Sequence, residues 1–298
     1  MEPFQAAMGP PRPQNFHTVS LGLLVLLPTI VFLVISFFMV YLSHSAQVAI
    51  WVAVTIFFLI SLIFMSARKQ GVQNGPNFWM NLGLLCFLAT LMATILGVYN
   101  WRSHAARYWA YVGQRHYTNV LPSEPALSHI DAGSISFSSD AHLDFASAGS
   151  YRDGDRVFCV APVVGTAPQS VVNYWAAGVG CCREGGNFTC GSAQSSEARG
   201  GLTYLWAGRF ASQSLGGFRH AAREAAQRRG LTSSKDALFL MWSDDLDLAQ
   251  RAFWNDGIHF LVCSCAIYAS VSLSIGAALH CCRRNPARSK LDDARLTY

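Results

Sequence analysis

Asp140, His142 and Asp144 stand at alternate positions. On a strand such residues share one face, and two carboxylates with an imidazole could hold a divalent cation. His129 and Asp131 lie nearby in the sequence. The same pattern also fits a solvated strand edge with turn residues, so no metal or other cofactor is assigned to it. A second group is Cys159, Cys181, Cys182 and Cys190, which surrounds the single Asn-x-Ser/Thr acceptor of the chain, Asn187-Phe188-Thr189. An even set of cysteines beside a glycosylation sequon points to an oxidising compartment and two disulfides. A bond between the neighbours Cys181 and Cys182 would be strained. The preferred pairing is Cys159–Cys181 with Cys182–Cys190; the crossed pairing stays open. Cys281-Cys282-Arg283-Arg284 forms a third group. Cysteines beside a membrane are candidates for palmitoylation, and arginines there attract anionic lipid.

Several kinds of chemistry leave no trace. The chain has no nucleophile elbow, phosphate-binding loop, His-Glu-x-x-His helix or calcium loop. No catalytic residue is assigned.

The elements that must position these residues are dominated by hydrophobicity. Apolar residues make up 52% of the 298 and charged residues 13%, about half the charged share of a soluble domain. Four apolar runs, about Leu21–Leu42, Val48–Met65, Phe78–Tyr99 and Ile258–Leu279, are long enough to cross a bilayer. The first three lack Asp, Glu, Lys and Arg. The first run exceeds the apolar length of a signal peptide and reads as a retained anchor. Small residues recur every four positions in the fourth run, at Ala266, Ser270, Ser274 and Ala278, a spacing that lets helices approach closely, in a bundle or a homodimer. The spans contain no Asp, Glu, Lys or Arg to carry an ion or proton, and His259 stands at the start of the fourth. Asn81, Thr90, Thr94 and the fourth-run serines are the only candidates for a polar path.

Charge orients the spans. Fourteen cations and fourteen anions balance between Trp101 and Asp256, so the net +5 lies in the flanking segments. Arg68 and Lys69 follow the second run, and Arg283, Arg284, Arg288, Lys290 and Arg295 follow the fourth. Positive loops mark the cytosolic side. The predicted layout is a cytosolic segment over 1–20, three transmembrane helices over 21–99, an extracellular or luminal domain over 100–256, a fourth transmembrane helix over 257–280 and a basic cytosolic tail over 281–298. Both termini are cytosolic, in the plasma membrane or an endomembrane. A neutral outer segment argues against nucleic acid as a partner.

The fold class is therefore membrane α-helical, with four transmembrane helices and a disulfide-stapled α+β outer domain between the third and fourth. Within that domain a helix over Arg102–Tyr117 extends the third span. Short strands are predicted at Ser134–Phe137 and His142–Phe145. Arg156–Val164 and Val171–Val179 read as an antiparallel pair, with Pro162 suiting an edge. A helix at Gly217–Arg229 ends at Gly230, and Ala237–Trp242 reads as a buried strand. Asp244, Asp245 and Asp247 then open a helix that leads to the fourth span, with a bend at Gly257.

The ordered segments Asp131-Ala-Gly-Ser-Ile-Ser-Phe, His142-Leu-Asp144, Val157-Phe-Cys-Val-Ala-Pro-Val163, Tyr174-Trp-Ala-Ala-Gly178, Cys181-Cys182 and Ala237-Leu-Phe-Leu-Met-Trp242 resemble a family of uncharacterised multi-pass membrane proteins abundant in dinoflagellate algae. The resemblance implies a membrane protein with a cysteine-bearing outer domain and implies no activity. The layout is also loosely similar to that of tetraspanins, although Arg183 follows the cysteine pair where they have Gly. The function expected is that of a multi-pass membrane protein whose outer domain binds a protein partner or organises membrane assemblies, with lateral homo-oligomers possible. A channel or transporter subunit, and a membrane-anchored enzyme using Asp140, His142 and Asp144, are the alternatives.

Overall fold

The computed structural model of the chain describes residues 16–66, 78–183, 187–205 and 209–284. Its α-helices are α1 (Phe16–Tyr41), α2 (Gln47–Ser66), α3 (Phe78–Asn100), α4 (Ala106–Val112), α5 (Arg209–Arg228) and α6 (Leu246–Arg284). Its strands are β1 (Arg115–Val120), β2 (Ala132–Phe137), β3 (His142–Leu143), β4 (Gly149–Asp153), β5 (Arg156–Val164), β6 (Val171–Val179), β7 (Gly200–Thr203) and β8 (Thr232–Ser243). Two compact units result. One is His104–Asp256; the other combines the chain up to Ser103 with the chain from Gly257.

Among the described residues, four helices are long and apolar enough to cross a membrane: Gly22–Tyr41, Gln47–Ser66, Phe78–Val112 and Leu246–Ala278, with mean hydropathies of 2.9, 2.8, 2.2 and 1.8. In the helical unit, Phe32, Ile35 and Met39 of α1 pack with Ile50 and Val54 of α2 and with Ala89 and Ala93 of α3. Close approach depends on a missing side chain: a Cβ on Gly83 would stand 2.7 Å from the Ser61 carbonyl oxygen. From α6, Tyr268 stacks on Phe32 with ring centroids 4.2 Å apart. Pro28 lies inside α1 without ending it. Outward faces stay apolar: Leu26, Ile63 and Ile267 are 60%, 64% and 66% exposed.

The other unit is a mixed sheet in the order β1-β2-β7-β8-β6-β5-β3, with β4 paired to β5. β1/β2 and β6/β8 are parallel, and the remaining pairs are antiparallel. Alternation along β5 sends Phe158 and Val160 to one face and Cys159, Ala161 and Val163 to the other. Both faces are covered, which explains the nearly continuous apolar run. α5 covers the first face through Leu215, Phe218, Ala221, Ala222, Ala225 and Ala226, recurring at helical spacing. A Cβ on Gly149 of β4 would meet the Ala225 side chain at 2.5 Å, so small residues set how near helix and sheet lie. α5 closes with the Leu231 N–H donating to the Ala226 carbonyl and Gly230 at φ +67°, the glycine termination the sequence predicts. Asp245 caps α6 by accepting from the Leu248 N–H at 2.8 Å.

Several boundaries differ from the sequence expectation. The helix after α3 does not reach Tyr117. A π-helical turn at Trp101–Ala105 leads into α4, which ends at Val112, and Arg115–Val120 forms β1. That strand exists because β2 lies beside it to take its hydrogen bonds, and a partner in space outweighs local helix preference. The strand expected at His142–Phe145 is only His142–Leu143, followed by a 3-10 turn at Phe145–Ser147. Pro162 does not lie on an edge strand. It sits in the gap where the neighbour of β5 changes from β3 to β4, and its carbonyl accepts from the Asp144 N–H. The missing N–H of Pro162 therefore leaves no ladder bond unmade. α6 runs through Gly257 without interruption.

Candidate functional site

The four cysteines meet at one end of β5 and β6. Cys159 lies in register with Gly178. Gly180, at φ +73°, turns the chain, and the Cys181 carbonyl then accepts from both the N–H and the hydroxyl of Thr189, at 2.9 and 2.8 Å. This closure places Cys190 against Cys181. The disulfides are Cys181–Cys190 and Cys159–Cys182. They are the crossed set and overturn the preferred pairing, because the Thr189 hydrogen bonds commit Cys181 to its own loop. Gly178 makes room for both bridges: a Cβ there would stand 2.5 Å from Cys181 Sγ and 2.7 Å from Cys190 Sγ. Among the described residues, Cys159, Cys181 and Cys190 are the one group whose ligand atoms converge within 4.8 Å as a metal site would require. All three sulfurs are in disulfides, Cys181 with Cys190 and Cys159 with Cys182, and are not thiolates. Asn187 is exposed beside the buried Phe188, so the asparagine of the sequon is open to solvent.

The residues first considered for a metal are dispersed into local roles. Asp140 Oδ1 accepts from the Ser138 hydroxyl at 2.6 Å, and Oδ2 accepts from the N–H and hydroxyl of Thr166, each at 3.0 Å. These bonds, the Ser138 bond foremost, hold its carboxyl well below the usual carboxylate range. Asp144 caps the 3-10 turn, accepting from the Ala146 N–H and the Ser147 hydroxyl. His142 Nδ1 lies 3.1 Å from the Asp140 carbonyl oxygen. The period-of-two argument does not hold, since only His142 of the three lies in a strand.

His129 and Asp131 belong to a different network. His129, 7% exposed, places Nδ1 2.9 Å from the hydroxyl of the fully buried Tyr174 and Nε2 3.6 Å from Glu124 Oε2. Tyr117 covers the His129 ring edge-on and donates to Asp131 Oδ1 at 2.9 Å, while Asp131 Oδ2 pairs with Arg115 Nε at 3.3 Å. Burial, with the Glu124 charge adding to it, pushes the Tyr174 hydroxyl up. The arrangement latches the connection between β1 and β2 onto β6. Its polar atoms are engaged with one another, and Arg115, Asp131 and Glu124 reach solvent.

The polar residues considered for a path lie in the helical unit. Thr90 and Thr94 donate to carbonyls of their own helix, and Asn81 is on an exposed face. Ala266, Ser270, Ser274 and Ala278 are all exposed; α6 turns Cys265 and Tyr268 to the bundle instead. The stripe therefore does not serve internal packing. Two residues the sequence reading passed over, Ser36 and Asn100, bury unpaired oxygens on one cleft. The signal for Asn100 was an amide at the end of an apolar run, while a lone serine in α1 resembles many others. Arg68, Lys69 and the tail from residue 285 on lie outside the described residues, as do the side chains of Cys281, Cys282, Arg283 and Arg284. No protein-family model, curated protein or solved structure matches the chain.

Proposed function

We propose that this is a four-span integral membrane protein whose disulfide-stapled sheet unit lies on the extracellular or luminal side and binds a protein partner. The observation that carries the reading is the pair of bridges Cys159–Cys182 and Cys181–Cys190 in a unit inserted between two long apolar helices. Disulfides of this kind belong to oxidising compartments, in agreement with cytosolic basic loops and with an exposed Asn187. The connection between β1 and β2 supports a binding role. Leu121, Leu127 and Ile130 are 47%, 60% and 51% exposed there, while Ala126 and His129 are buried. Apolar side chains held outward on an anchored loop suit a protein contact. The exposed stripe on α6 suits lateral association, and the resemblance to the dinoflagellate family belongs to the same reading.

The test is labelling of intact cells with a membrane-impermeant thiol reagent, before and after mild reduction, read by mass spectrometry. Cys159, Cys181, Cys182 and Cys190 label only after reduction if the unit is at the cell surface, and only after permeabilisation and reduction if it is luminal. Free thiols at these positions facing the cytosol overturn both the orientation and the binding role built on it.

A further inference from the structure

Among the described residues, nine serine and threonine hydroxyls in α1, α2, α3 and α6, from Thr29 to Ser274, donate to the carbonyl four residues earlier in their own helix. Ser36 in α1 does not. It is 3% exposed, and its Oγ has no hydrogen-bond partner. Asn100, 1% exposed, is in the same position by half. Its Nδ2 donates to the Gly257 carbonyl at 2.9 Å, which fixes the amide orientation, and its Oδ1 has no partner. Both residues line one small cleft with Leu96, Phe260 and Ser264. The cleft has about 10 Å³ open to the centre of a water molecule, near the least that holds one water. The π-helical turn Trp101–Ala105 begins directly after Asn100, a kind of irregularity common at functional sites.

We propose that this cleft is a binding site for a single water molecule, which donates to Asn100 Oδ1 and shares a hydrogen bond with the Ser36 hydroxyl. An amide oxygen already oriented by Gly257 needs a donor, and a hydroxyl kept off its own helix carbonyl needs a partner. An unpaired polar atom in apolar surroundings is costly, and one small neutral ligand satisfies both. No acidic or basic side chain lines the cleft, so a cation would stand there without a compensating charge. The water then joins α1 to α3, while the Asn100–Gly257 bond joins α3 to α6. This site is independent of the partner-binding role of the sheet unit.

The experiment is X-ray radiolytic hydroxyl labelling of the full-length protein in phosphatidylcholine nanodiscs and ¹⁸O-water, which marks side chains next to bound water. Leu96 and Phe260 are expected to take label several-fold faster than Phe32 and Leu82, which are buried elsewhere in the bundle. The Ser36→Ala variant, which keeps the Asn100–Gly257 bond, is expected to lose most of that difference, and Asn100→Leu all of it. If Asn100→Leu does not fold, Ser36→Ala alone decides. Equal labelling of the two sets in the native protein, or labelling unchanged by Ser36→Ala, overturns the proposal. So does a melting temperature raised by sodium but not by choline chloride, which would assign the cleft to a cation.

Discussion

Buried polar groups find their partners at different ranges in the two units. In the helical unit the hydroxyls bond almost at home, to a carbonyl four residues back, as Thr90 does with Cys86 and Ser61 with Phe57. In the sheet unit Ser138 and Ser147 bond Asp140 and Asp144 nearby, but the partners of its large buried side chains are remote in sequence. The Tyr174 hydroxyl meets His129, the Trp175 indole donates to Ser233, and the Tyr111 hydroxyl donates to the Thr203 carbonyl. A helix carries an acceptor within reach of every small hydroxyl, so its polar groups can be settled before any tertiary contact forms. A strand leaves its side chains perpendicular to the backbone, and they must wait for another element. The sheet unit thus ties its architecture to specific polar pairs, and the helical unit ties its own to shape. Asn100, bonded to Gly257, is the helical exception.

The comparison can be broken by substitution, with hydrogen exchange on the full-length protein reporting on each unit separately. The largest effect is expected for Trp175→Ala, which empties a fully buried site between β6 and α5 and should cost the sheet unit about 3–5 kcal/mol. Replacing Cys159 and Cys182 together by serine releases the longer bridge and should cost about 3 kcal/mol. Protection in α1 to α3 should stay as it was in both cases; a matching loss there would mean that the units do not unfold independently.

The sharpest contrast is between two single hydroxyl deletions. Tyr174→Phe strands the buried His129 Nδ1 and should cost about 1–2 kcal/mol. Thr90→Val removes a bond within one helix and should cost under about 0.5 kcal/mol, since buried hydroxyls that bond their own helix add little to it. Equal costs measured side by side would dissolve the distinction drawn between the units.

The smallest effect concerns pH. The Asp140 carboxyl is held below its ordinary value by Ser138 and Thr166. The stability this contributes is fully present above the unfolded value near ~4 and is lost as pH falls through the folded one. The unfolding midpoint of the native sheet unit should therefore fall on acidification below about pH 4 more steeply than that of Asp140→Asn. Parallel acid limbs in the two proteins would show that these hydrogen bonds do not favour the charged form.

Much of the architecture was legible because its signals are local. An apolar run of about twenty residues announces a span through its length alone, and the four helices fall where the runs are. β5 and β6 carry unbroken apolar segments with a turn between them, and they pair as read. Gly230 ends α5 because the backbone there needs a positive φ. β4 was missed although Asp153-Gly154-Asp155 marks a tight hairpin, with Gly154 at φ +57°; that turn signal was available. β1 and β7 were missed for a different reason. Arg115–Val120 has a partner only once β2 lies beside it, and Gly200–Thr203 has one only between β2 and β8.

By itself, the sequence determined which helices are long and apolar enough to cross a membrane, that a sheet-bearing segment lies between the third and fourth of them, and which cysteines are available to bond. Those properties depend on residues within one turn or one strand of each other. The tertiary structure alone decided that Cys159 reaches Cys182 and not Cys181, that Asp140 and Asp144 close turns instead of sharing an ion, and that Ser36 and Asn100 meet on one cleft. Each of these depends on strand register or helix packing, where a shift of one residue exchanges one face for the other and changes every partner.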